Sequence, residues 1–77
     1  MMTIDEIRSA AAEISAAMKS GAMNPALRQR FIEVRAALFQ RGVYDPVLVR
    51  FDSATAPRAT NEEIGEQLGT IAESLRG

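Results

Sequence analysis

Residues 43–52 read Val43-Tyr44-Asp45-Pro46-Val47-Leu48-Val49-Arg50-Phe51-Asp52, and their conformation decides whether the chain is all-helical or holds a sheet. Valine and phenylalanine favour a strand, and Val47, Val49 and Phe51 alternate with Leu48 and Arg50. Two considerations point the other way. Asp45-Pro46 is a cap followed by a proline at the first helical position, the same start that Asn24-Pro25 offers upstream. A lone strand would also leave its backbone groups unpaired, and nothing else in the chain reads as a partner strand. A short helix satisfies its own. The expectation is a short helix at about 46–52, with an extended segment as the alternative. As a strand, its partner would be the same strand in a second copy.

Upstream, Asn24 caps and Pro25 opens a helix expected over about 25–41, with Gly42 as its stop. Leu27, Phe31, Val34 and Leu38 form its inward stripe. Ile32 and Phe39 form a second apolar ridge about 100° around the axis, with Arg28 and Arg35 between the two. Two ridges call for two neighbours, so this helix is expected at the centre of the fold. Further upstream, Thr3 and Glu6 make the S/T-x-x-E pattern of a capping box. Ile4, Ile7, Ala11, Ile14 and Met18 follow at helical spacing, and the alanine-rich stretch from Ala10 to Ala17 favours a helix over about 4–19, ended by Gly21. The linker Ser20–Asn24 is short enough to make these two helices neighbours.

Downstream, Ser53–Ala59 reads as a surface loop, and Thr60 with Glu63 repeats the capping box. The helix expected over about 61–75 carries Ile64, Leu68, Ile71 and Leu75 on one stripe, with Gly65 and Gly69 beside it. Glycine within a helix costs roughly 1 kcal/mol against alanine. Two of them imply a compensating close approach, either by Phe39 or Tyr44 of the same domain or by a helix of a second copy. The fold class is therefore all-α: three main helices and one short element in a single small domain over residues 1–77.

A chain of 77 residues lies at the small end of what folds alone, and such domains often lean on disulfides, metals or association. The sequence has no cysteine and no histidine, so disulfides, thiol chemistry, an imidazole base and the usual zinc ligand sets are excluded. Its glycines are isolated and build no phosphate loop. The residual candidate for chemistry is the pair Asp45 and Asp52, which could hold a hard cation or a sugar, although a cap and a turn account for both. Lys19, the one lysine, suits a helix C-terminus. No enzymatic activity, cofactor, metal or small-molecule substrate is expected.

The net charge of −1 predicts no general attraction to nucleic acid or to anionic membrane. Its distribution is uneven: residues 19–58 hold seven basic side chains against three acidic ones, a balance of +4 between two acidic ends. A basic middle can be neutralised within the fold or can face an acidic partner. Arg28, Arg30, Arg35 and Arg41 fall on two sides of the second helix, as residues flanking a buried ridge do, whereas a recognition helix gathers them on one. No stretch approaches the roughly 20 apolar residues of a membrane span, and no signal peptide is apparent, so the expected location is the cytoplasm. The bias of eight arginines to one lysine, together with abundant alanine, is common in GC-rich bacterial genomes.

These readings leave surfaces as the source of function. The expectation is a protein-interaction module that docks on a partner protein or on itself, a dimer being the first oligomer to test. Its candidate contacts are Ile32, Arg35, Phe39, Tyr44 and Phe51, with Gly65 and Gly69 for helix pairing. A nucleic-acid-binding regulator using the arginines, and a cation-binding or enzymatic protein using Asp45 and Asp52, are the alternatives.

Overall fold

The structure, a computed structural model, describes residues 2–21, 24–55 and 57–75. Four helices follow in order: α1 (Ile4–Lys19), α2 (Pro25–Gln40), α3 (Pro46–Val49) and α4 (Asn61–Ser74). There is no strand among the described residues, and the fold is all-α.

Each helix starts on the cap its sequence offers. The Thr3 hydroxyl accepts from the Glu6 N–H at 3.1 Å while the Glu6 carboxylate accepts from the Thr3 N–H at 2.9 Å. Thr60 and Glu63 repeat this box on α4. The Asn24 side chain accepts from the Leu27 N–H at 2.8 Å, and that of Asp45 from the Val47 N–H at 2.9 Å. Such caps stabilise by about 1 kcal/mol each. At the other end of α2, the Gly42 N–H reaches the Phe39 carbonyl and the Val43 N–H the Leu38 carbonyl, with Gly42 at φ 83°. This is a Schellman closure, and Val43 packs against the core behind it. Gly21 ends α1 at φ 84°, while Ala22 and Met23 of the expected linker lie outside the described residues.

Three expected bounds shift. Arg41 and Leu75 prove to be C-caps rather than helical residues, so α2 and α4 each stop one residue early. The short element is a helix, but it ends at Val49 instead of residue 52. Beyond its cap, Arg50, the chain turns to lay Phe51 on Phe31 and to bring Asp52 to Arg35.

One cluster of buried side chains joins all four helices, including Ile7, Ile14, Phe31, Leu38, Leu48 and Leu68. The centre of the arrangement is α1, and this corrects the expectation for α2. Helix α1 packs along α4 most extensively and against α2 on its other side, while α3 rests on α4. Its buried residues, Ile7, Ala10, Ala11, Ile14, Ser15 and Met18, span an arc of roughly 140° at about 100° per residue, enough for two neighbours. Alanine and serine on that arc let both approach closely. Arg8 donates to the Leu75 carbonyl and Ser15 to that of Gly65, so α1 and α4 run antiparallel.

The glycines of α4 are explained by the same contact. A methyl group at Gly65 would lie 3.0 Å from the Ser15 carbonyl oxygen and 3.2 Å from the Lys19 nitrogen, and one at Gly69 would lie 2.9 Å from Ser15 Oγ. The close approach is real, but its source is α1. Phe39 and Tyr44, the expected fillers, pair with each other instead.

Candidate protein-docking surface

Phe31 of the inward stripe of α2, with the arginines beside it, meets the segment that follows α3. Phe31 and Phe51 stack with ring centroids 4.5 Å apart. The Arg28 guanidinium lies 5.3 Å from the centre of the Phe51 ring, and that of Arg35 lies 5.6 Å from the centre of Phe31. Arg35 also grips Asp52 through two bonds of 2.8 and 3.0 Å and donates to the Leu48 carbonyl at 3.2 Å. With its side chain only 15% exposed, Arg35 is a strut between α2 and the end of α3. The Arg35 hydrogen bonds hold the Asp52 carboxyl below the usual carboxylate range. Thr3 acts likewise on Glu6, through its backbone N–H first and its hydroxyl second.

Of the expected contact residues, several are thus used inside the chain. Arg35 is paired, Phe51 is half-buried on Phe31, and Ile32 is half-buried against the core. Gly65 is buried under α1, and Gly69 is half-buried beside it. Phe39, itself half-buried, and Tyr44 remain outside the core cluster. Their rings lie 5.4 Å apart at a tilt of 34°, and Tyr44 is 72% exposed. Val49, at the end of α3, is 45% exposed. Tyr44 and Val49 are the large apolar side chains that stand in water among the described residues. Val49 belongs to an apolar run whose other members, Val47, Leu48 and Phe51, pack on or within the core. It follows directly on the fully buried Leu48, and a helix of four residues is too short for periodicity to mark which of its side chains faces water.

The two aspartates do not share a site. One oxygen of Asp45 caps α3 and the other accepts from the Gln67 amide, while both oxygens of Asp52 serve Arg35. Among the described residues no group of three or more His, Cys, Asp or Glu side chains is placed to hold a metal ion. The basic middle of the chain is partly neutralised from within: Arg30 pairs with Glu13 of α1 at 2.9 Å, and Arg50 approaches Glu63 of α4 at 4.0 Å. No helix among the described residues is long and apolar enough to cross a membrane.

The chain matches no protein-family model, no curated protein and no solved structure.

Proposed function

We propose that this chain is a protein-interaction module whose docking surface is built on Phe39, Tyr44 and Val49. The exposure of Tyr44 carries the reading. A tyrosine ring held against a second ring, yet open to solvent over most of its area, is the kind of rigid amphipathic anchor that interfaces are enriched in. Its position supports this: Tyr44 lies between the Schellman closure of α2 and the capped start of α3, so ordered backbone flanks it on both sides. The ion pairs of Arg30, Arg35 and Arg50 within the chain weigh against a nucleic-acid interface on α2.

The test is recovery of a partner protein from the native cell with tagged wild-type chain and with Tyr44→Ser, whose helicity is checked by circular dichroism. A partner bound by the wild type and lost with the variant supports the reading. Equal recovery with both removes Tyr44 from the interface.

A further inference from the structure

The side chains of Arg28, Arg41 and Arg58 make no hydrogen bond or ion pair among the described residues. Two of them converge. Arg28, near the start of α2, and Arg58, in the loop before α4, line one cavity of about 210 Å³ with Phe51, Ala59, Asn61 and Ile64. Its wall holds two positive charges and the Asn61 amide, and no acidic side chain. The Arg28 guanidinium lies over the Phe51 ring, 5.3 Å from its centre, and that ring is stacked on the buried Phe31. A guanidinium over an aromatic face is fixed in place, while the N–H groups in its own plane stay free to donate. Asp52 is near enough to feel the Arg28 charge, yet both its oxygens are engaged by Arg35. Two cations that share a cavity repel each other, and an anion between them replaces that repulsion with attraction.

We infer that this cavity binds a dianionic phosphoryl group between the Arg28 and Arg58 guanidiniums, with the Asn61 amide as a third donor. Charge and donor number select it. A phosphate monoester carries about −1.5 to −2 at pH 7 and three terminal oxygens, which matches two guanidiniums and one amide. A carboxylate or a phosphodiester offers a single charge and leaves the second arginine unmatched. The volume lies below the roughly 300–1,000 Å³ of pockets that enclose whole small molecules, so the cavity suits a head group whose remainder lies in solvent. Free phosphate and a phosphoryl group on a larger molecule share this chemistry.

The site shares no residue with the surface built on Phe39, Tyr44 and Val49, so it stands or falls apart from that reading. The test is titration of the full chain with inorganic phosphate and, separately, with O-phosphoserine, at constant ionic strength. Nuclear magnetic resonance follows the arginine Nε–H groups and the Asn61 amide. Saturable shifts at Arg28, Arg58 and Asn61 are expected above the second phosphate pKa of about 6, and weaker binding below it, where the dianion gains a proton. Arg28→Gln and Arg58→Gln, both at exposed positions, should each weaken binding about tenfold, whereas Arg41→Gln and Tyr44→Ser should leave it unchanged. Saturation by both ligands supports a phosphoryl site whatever carries the group, and saturation by inorganic phosphate alone supports a site for the free anion. Shifts that grow without saturating would overturn the inference. So would acetate binding as tightly as phosphate, or binding that survives the loss of both arginines.

Discussion

The hydroxyl of Ser15 donates to the carbonyl oxygen of Gly65 at 2.5 Å, and this bond pins α1 to a stretch of α4 that has no side chains on that side. The relationship explains why two glycines are tolerated inside a helix of 14 residues. Their loss of helix propensity is offset by the burial that close contact allows along α1.

Gly65→Ala should therefore destabilise the chain, although alanine is the better helix former. The new methyl would meet backbone of α1 at 3.0 and 3.2 Å, and backbone gives only by moving the helices apart. Overpacking of this kind costs about 1–3 kcal/mol, against roughly 1 kcal/mol of propensity gained, so a net loss of about 1 kcal/mol is expected in urea denaturation.

Gly69→Ala should depend on what occupies position 15. In the wild type its methyl meets Ser15 Oγ at 2.9 Å, so the hydroxyl must turn from Gly65 and forfeit a bond of about 1 kcal/mol, cancelling the gain in propensity. With Ser15→Ala in place, the nearest remaining atom is the residue-15 Cβ at 3.8 Å, an ordinary contact. Gly69→Ala should then stabilise by about 1 kcal/mol. A double-mutant cycle measures the coupling, and additivity would refute this account of the contact.

These contacts show where sequence reading stops. Thr3 with Glu6, Asn24 with Pro25, Asp45 with Pro46 and Thr60 with Glu63 act within three residues of themselves, so helix starts were legible. Gly42 and Gly21 announced their positive φ for the same reason. The two glycines of α4 announced a close approach but not by what, because Ser15 lies 50 residues from Gly65. The two ridges of α2 suggested a central helix, yet its second neighbour is the irregular segment around Phe51 and Asp52, which periodicity does not reveal. Of the candidate site, Tyr44 reads from sequence both as a partner contact and as a filler of the glycine groove, and no local signal separates the two. The engagement of Arg35 with Asp52 had no local sign.

Stability should fall in acid partly through that pair. Asp52 is held below the ordinary carboxylate range by its hydrogen bonds to Arg35, so the folded chain keeps it ionised to lower pH than the unfolded chain does. Its contribution is complete above the unfolded pKa, about 3.9, and is lost as pH falls through that value toward the folded one. Asp52→Asn should remove this part of the pH dependence. The pair is partly exposed, so the change at neutral pH should be about 1 kcal/mol or less.

Gly42→Ala isolates a backbone effect. No atom lies within 4 Å of the added Cβ, so sterics with neighbours contribute nothing. The cost is that of an L-residue at φ 83°, about 1–2 kcal/mol, and D-alanine at the same position should not incur it. Chemical synthesis of a chain this short makes the comparison direct.

Leu48 and Tyr44 should behave as opposites. Leu48 is fully buried and ties α3 to the core, so Leu48→Ala should cost about 2–5 kcal/mol. Tyr44→Ser removes a larger side chain but one 72% exposed, and should change stability by about 0.5 kcal/mol or less. Thermal denaturation of both variants checks the contrast.

The central claim is that this chain works through an exposed surface around Tyr44, and site-specific photo-crosslinking in the native cell tests it most directly. A photoreactive phenylalanine analogue placed at position 44 is predicted to give a discrete adduct with a protein, while the same group at exposed Glu33 on α2 gives none. Identical patterns from the two positions, or no adduct at 44, would contradict the account.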